Sequence, residues 1–473
     1  MKFRPLMLNT LIPALMAGSL SVHAQDNLTI GIDQRTSLGL TLYNRDLALV
    51  RETRQVPGMA PGQTVIIEDV SKQLQPETLR ITNAGKVLEQ NFNARLLSQQ
   101  ALLEHYINQE LELARTNPST GAETISKARL LSVSGNQALV SRNNRVESIP
   151  LNSNWRFIFP SRPDELLTKP SLSFRSQGTS GTKKAGISYL TSGLSWNMNY
   201  VLTLSDDGKT GALSGMATLT NNSGSSYPKA SVQLMAGNVN TAPPQRLYKA
   251  ARQEMAVAMS ASADAMPQPS QLEAFHLYQL PGEITLATGQ QKQIALMTSD
   301  DVTLERTYQH EFYVGAHQDG QEHRIKPNLQ LTFNNTEKDG LGQPMPAGNI
   351  RVFRPDNQAQ LQFVGGTHIR HTGEKEPVKV NLGQAFDVTI TRQQSMFEKT
   401  YNGHLVGQSL RISNSRTEPA TVVVRVNFSH PWELERSSTP MEKTNAGTAQ
   451  WTVTVPGRGD VPLNFSIHLK TNK

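Results

Sequence analysis

The amino-acid sequence predicts an all-β protein of several antiparallel β-sandwiches of immunoglobulin-like build, with one short connecting helix. Three observations carry this expectation: apolar residues recur at every second position, turn-forming pairs separate the alternating runs, and a single segment has helical spacing. In LNFSIHLK, Leu463, Phe465, Ile467 and Leu469 alternate with Asn464, Ser466, His468 and Lys470, so a two-residue repeat sends the four apolar side chains to one face. Val422, Val424, Val426 and Phe428 do the same in TVVVRVNF, Trp451, Val453 and Val455 in QWTVTVP, and Leu329, Leu331 and Phe333 in NLQLTFN. Asp207-Gly208 and Asp319-Gly320 have the chemistry of tight hairpin loops, whose backbone needs positive φ. One wet face and one dry face imply antiparallel sheets packed against each other. The exception is LLSQQALLEHYI, where Leu96, Leu103 and Ile107 recur at helical intervals and predict a short connecting helix.

A chain of 473 residues, 37% of them hydrophobic, has the length for two to four domains and the apolar content for real cores. The breaks in the pattern divide it into a first β domain at 25–95 and a helix with a small strand-rich unit at 96–170. A central β region follows at 171–373, and a C-terminal β-sandwich at 374–473. Within the central region, residues 249–271 (KAARQEMAVAMSASADAMPQPSQ) lack strand periodicity and read as a flexible surface insertion. Two stretches, ATLTNNSGSSYPKASVQL (217–234) and SLRISNSRTEPATVVVRV (409–426), share a strand, an Asn-containing turn and a second strand. Read as hairpins, they support two sandwich-type units.

Residues 1–24 carry Lys2 and Arg4, a modestly apolar stretch from Leu6 to Val22, and the small-residue ending Val22-His23-Ala24. This is the pattern of a secretory signal peptide; Asn9, Thr10, Pro13 and Gly18 interrupt it too often for a membrane span. Cleavage there leaves 449 residues and, with the loss of Lys2 and Arg4, lowers the net charge from +7 to +5. That excess is too thinly spread for a nucleic-acid footprint and suits at most a mild preference for anionic envelope surfaces. The absence of cysteine excludes disulfides, thiolate metal sites and cysteine nucleophiles. The periplasm is the expected location, with secretion as the alternative.

Four motifs carry a resemblance: YLTSGLSWNMNY (189–200), LTNNSGSSYPKASVQLMAGNVN (219–240), FHLYQLPGEITLATGQQKQIAL (275–296) and FNNTEKDGLGQPMPAGNIRVF (333–353). In their order along residues 180–473, the chain resembles the bacterial exported domain-of-unknown-function 4139 family, related to the mucoidy inhibitor A-like proteins. LYNRDLALVRETRQV resembles the region that precedes this domain in single-chain members. The resemblance implies export, an all-β build and an envelope setting, and it carries no established activity or catalytic residue. Mucoidy inhibitor-like relatives place a long coiled coil between their halves. This chain has only the short helix near residue 100, so no role of that coil transfers.

The chemistry-bearing residues read mostly as structural. Ser195 in GLSWN lacks the second glycine of a nucleophile elbow, which Asn197 replaces, while Trp196, Met198 and Tyr200 alternate as core residues. His368 and His371, three apart on extended chain, point to opposite faces. His317, Glu322 and His323 flank Asp319-Gly320 and are the metal candidates, but a two-residue loop pairs His317 with Glu322 as a surface contact, and tetrahedral sites need three or four convergent ligands. Asp206-Asp207 and Asp300-Asp301 read as turn residues. Met255, Met259 and Met266 offer thioethers to Cu(I) but sit in a low-complexity tract. Arg458-Gly459-Asp460 reads as a hairpin connection. Trp155 and Trp432 are the binding candidates, as platforms for sugar rings.

These readings lead to a non-catalytic periplasmic envelope protein acting in binding or assembly, without cofactor or metal, with an envelope protein or polysaccharide as partner and no nucleic acid. A hydrolase acting on envelope polysaccharide or peptide and a carbohydrate-binding module are the alternatives. Limited proteolysis of the purified protein is expected to cut first within 249–271. Mass mapping that finds this tract intact while other loops are cut overturns the insertion assignment.

Overall fold

Alternation becomes strand almost wherever it occurs. The computed structural model describes residues 27–93, 95–163, 165–237, 239–240, 269–272 and 275–470, which form mostly antiparallel sheets and one α-helix, Gln99–His105. The expected leader at 1–24 and most of the 249–271 tract lie outside these residues; the last three residues of that tract, Pro269 to Gln271, belong to a strand paired antiparallel with Phe275–Gln279. Among the described residues no helix is long and apolar enough to cross a membrane.

The chain divides into two units. The first takes residues to 36, 53–70 and 81–187. It holds a five-stranded antiparallel sheet in the order Arg145–Pro150, Gln137–Arg142, Glu123–Ser134, Glu110–Thr116 and Trp155–Ile158. The inner residues Leu111, Leu113, Leu130, Val140 and Ile149 form a core with Leu103 and Tyr106. Leu103 belongs to the helix, which is shorter than the apolar spacing predicted because Ser98 caps it, its hydroxyl accepting the Ala101 N–H at 3.1 Å. In the same unit Leu28–Ile30 pairs in parallel with Thr64–Glu68. The fully buried Arg54 ties the ends of that pair, donating to the carbonyls of Ile30, Gly31 and Glu68 at 2.6 to 3.2 Å.

The second unit takes residues 37–52, 71–80 and 188–473 and contains two pairs of facing sheets. One is a five-stranded sheet, Gln291–Thr303, Thr210–Asn221, Leu194–Leu204, Gly348–Pro355 and Leu361–Ile369. It faces the strand Tyr227–Ala236 and its neighbours through Trp196, whose indole donates to the Met235 carbonyl at 3.1 Å and meets the edge of Tyr278. Trp196, Met198 and Tyr200 are buried there, as their alternation predicts.

The C-terminal sandwich opposes a six-stranded and a five-stranded sheet. The first runs Pro377–Gln384, Asn328–Asn334, Glu305–Val314, Ala420–Phe428, Thr448–Val455 and Met441–Asn445; the second runs Glu322–Ile325, Val388–Thr400, Gly403–Asn414, Gly459–Lys470 and Trp432–Ser437. Its core includes Val422, Val424, Val426, Leu463, Ile467 and Leu469, with Trp451 stacked on Phe465 at 4.3 Å. Its strands begin at Glu305, so it unites residues from both sides of position 374.

The two look-alike stretches are built identically, and neither is a hairpin. In each, the first strand lies in one sheet and the second in the facing sheet, so the polar turn is an arch between layers. Asn221 and Asn414 are both buried. Each carbonyl oxygen accepts the N–H two residues on at 3.1 Å, Ser223 and Arg416 respectively. Each amide donates to the carbonyl four residues on at 2.8 Å, Ser225 and Glu418, and also to a strand end, Leu286 or Val455. Strand periodicity cannot separate an arch from a hairpin; the buried asparagine does. Replacing Asn221 or Asn414 by alanine strands several backbone groups and is expected to cost about 2–4 kcal/mol in urea denaturation, whereas Asn222→Ala, at an exposed neighbour, stays within about 0.5 kcal/mol.

Candidate functional site

The outward residues of the six-stranded sheet form a polar groove of about 490 Å³. Its rows follow from the pairing register. Asn381, Gln330 and Thr307 lie side by side on three strands. Glu311, Arg425 and Gln450 form a second row. Gln309, Val423 and Thr452 lie between them, with Thr307 and Val423 buried as the floor. The five strands span about 19 Å at the usual inter-strand spacing. Hydrogen bonds hold the side chains in place: Gln330 Nε2 donates to Asn381 Oδ1 at 2.8 Å, Gln309 Nε2 to Thr307 Oγ1 at 2.9 Å, and Arg425 Nη2 to Gln450 Oε1 at 3.1 Å. Asn427 Nδ2 donates to Glu311 Oε1 at 2.6 Å. The result is a dense, fixed array of amide, hydroxyl and charged groups, able both to donate and to accept. The groove carboxylates Glu305 and Glu311 are six residues apart on one strand, about 20 Å, far beyond the roughly 5–10 Å of an acid pair that cleaves glycosides.

The residues singled out from the sequence lie elsewhere. The hairpin predicted at Asp319-Gly320 does not form. Glu305–Val314 belongs to the six-stranded sheet and Glu322–Ile325 to the other, where Glu322 faces Gln393 and His323 faces Arg392. The segment between crosses the sandwich edge and is held by Gln394, whose amide donates to the His317 carbonyl at 3.1 Å and accepts the Asp319 N–H at 2.7 Å. His323 therefore meets Asp319, at 2.9 Å, and His317 does not pair with Glu322. That hydrogen bond, followed by one from the Gln321 N–H, holds the Asp319 carboxyl below the usual range. Among the described residues no three His, Asp or Glu side chains are placed to hold a metal ion. His368 and His371 bind apart, to Asn349 Oδ1 and to the Ala347 N–H. Asp207 takes its predicted turn role, accepting from Lys209 N–H beside Gly208 at φ +68°, but Asp300 and Asp301 lie in the strand Gln291–Thr303. Met255, Met259 and Met266 lie outside the described residues.

Trp432 is not an open platform. It is 7% exposed, its indole donates to the Ala446 carbonyl at 3.0 Å, and Phe428 lies 4.4 Å from its ring. Burial followed because the residue after Pro431 opens a strand of the five-stranded sheet and turns into the core. Trp155 is half-buried, with the guanidinium groups of Arg115 and Arg142 5.5 and 5.2 Å from its ring centre. Sequence reading missed the groove because its members are ordinary outward strand residues; their signal is the run of Thr, Gln and Asn opposite the apolar positions.

On the inner side of the groove's central strand, His310 stacks on Phe312 at 5.4 Å, and the Arg392 guanidinium lies 4.5 Å from the Phe312 ring centre. His310 Nε2 is buried without a hydrogen-bond partner. Burial, reinforced by the Arg392 charge, pushes His310 down to about 4. Its ordinary value is 6.5, so between those pH values the unfolded chain binds the proton that the folded chain refuses, and stability falls as pH drops. The unfolding free energy is expected to lose roughly 1–2 kcal/mol from pH 7 to 4 through this group, allowing for solvent screening. His310→Phe should remove that share of the slope; an unchanged slope refutes the assignment.

No family model matches the chain, and no curated protein matches it.

Proposed function

We propose that this is a non-catalytic protein of the bacterial envelope, acting in binding or assembly from the periplasm, and that the polar groove takes hold of an extended polysaccharide. The observation that carries the reading is the groove itself: five strands of amide, hydroxyl and charged side chains, mutually hydrogen-bonded around a buried floor. A hydroxyl-rich polymer both donates and accepts, and a pre-fixed array of both kinds binds it with little ordering cost. The separation of Glu305 and Glu311 suits contacts along a long ligand better than a hydrolytic pair. The secretory pattern of residues 1–24 and the resemblance to the mucoidy inhibitor A-like family support the envelope setting.

The test is binding of the full chain to an immobilised neutral glucan, an acidic uronate polymer and solubilised peptidoglycan strands. At least one is expected to bind. The double variant Arg425→Ala/Gln450→Ala, which removes two of the three side chains of one row, should weaken it about tenfold or more while the melting midpoint stays within a few degrees. Retention of wild-type binding by that folded variant, or no binding to any of the three across salt concentrations, refutes the proposal.

A further inference from the structure

We propose that a second pocket, in the other sandwich of the same unit, binds a single uncharged sugar residue through His371 and Glu376. Its volume is about 330 Å³, within the range of small-molecule sites, and its lining includes Gly237, His276, Tyr278, Met345, His371 and Glu376. It shares no residue with the groove, and its occupancy stands whether or not the groove binds a polymer.

The walls are fixed before any ligand arrives. Met345 and Thr372 exchange backbone hydrogen bonds, both 2.9 Å. The hydroxyls of Tyr278 and Tyr200 donate to the carbonyls of Pro344 and Pro346 at 2.9 and 2.7 Å. The fully buried Asn335 donates to the carbonyls of Gln343 and Gly373 at 2.7 and 2.9 Å, so the two loops that edge the pocket are tied to one side chain.

The polar groups then define the ligand. His371 Nδ1 accepts the Ala347 N–H at 3.1 Å, so the neutral ring carries its proton on Nε2 and offers a donor. The same tautomer denies a metal ion the Nε2 lone pair. Partial desolvation, followed by the neighbouring His276 and His368, holds the exposed His371 below its ordinary value. Glu376 Oε2 accepts the Gly373 N–H at 2.9 Å, which orients the carboxylate and leaves Oε1 as an acceptor. A lone carboxylate repels anions, and among the described residues of the lining a cation finds no second carboxylate. Vicinal hydroxyls match this pair in kind: one would donate to Glu376 Oε1 and the other accept from His371 Nε2. Pro344, Pro346 and Ala236 supply apolar wall for ring C–H groups.

Calorimetric titration of the full chain at neutral pH with glucose, galactose and N-acetylglucosamine tests this. Saturable binding of at least one, on the order of millimolar, is expected. Glu376→Gln, nearly the same shape, and His371→Phe should each weaken it at least tenfold with the thermal midpoint kept near wild type. The proposal falls if none of the three sugars binds, if Glu376→Gln binds as wild type does, or if acetate, phosphate or Zn²⁺ displaces the sugar.

Discussion

The stacking of Trp451 on Phe465 across the two sheets of the C-terminal sandwich sets the phase of everything around it. With a two-residue repeat, fixing one inward side chain fixes every other residue of its strand. Val453 and Val455 follow Trp451 inward, and Gln450 and Thr452 are thereby committed to the outer surface. The same holds on the adjoining strand, where Val422, Val424 and Val426 fill the core and Thr421, Val423 and Arg425 line the groove. Core and groove are two faces of one constraint, so a slip of register that spoils one inverts the other.

How far the molecule was legible follows from what a local pattern contains. Period-two alternation identified the strands around Val422, Trp451 and Leu463 and their buried faces, because burial is imposed residue by residue. It says nothing about partners. Met198 pairs in parallel with Gly348, and Tyr308 with Val422, across more than a hundred residues. The all-β expectation held, while Asp319-Gly320 looked like a hairpin and became a crossing between sheets. The groove was invisible for the same reason: its polar positions were readable singly, but Asn381, Gln330, Thr307 and Thr421 become neighbours only through long-range pairing. Trp432 failed differently, since the local proline context left its exposure open and the sheet it joined decided it.

The buried asparagine arch recurs in both sandwiches of the second unit with the same two turn-closing bonds at the same lengths. An amide is suited to that corner because it accepts with one atom and donates with the other, closing the turn while satisfying the carbonyl of a strand end on the far layer. Glycine does the corresponding work where two layers crowd. Gly193 takes φ +82°, gives its N–H to Asp46 at 2.6 Å, and leaves no room for a Cβ, which would lie 2.5 Å from Ser223 Cα. Polar turns in this protein are therefore structural joints as much as solvent-facing loops.

The strand Gly459–Lys470 lies inside its sheet, between Gly403–Asn414 and Trp432–Ser437. It is also the last of that sandwich's strands in the sequence, so the sandwich closes through sequence-distant contacts, which slow folding. Until that strand pairs, Gly403–Asn414 and Trp432–Ser437 each keep an unsatisfied edge. A sandwich left open in this way offers strand edges that can pair with one another or with another chain.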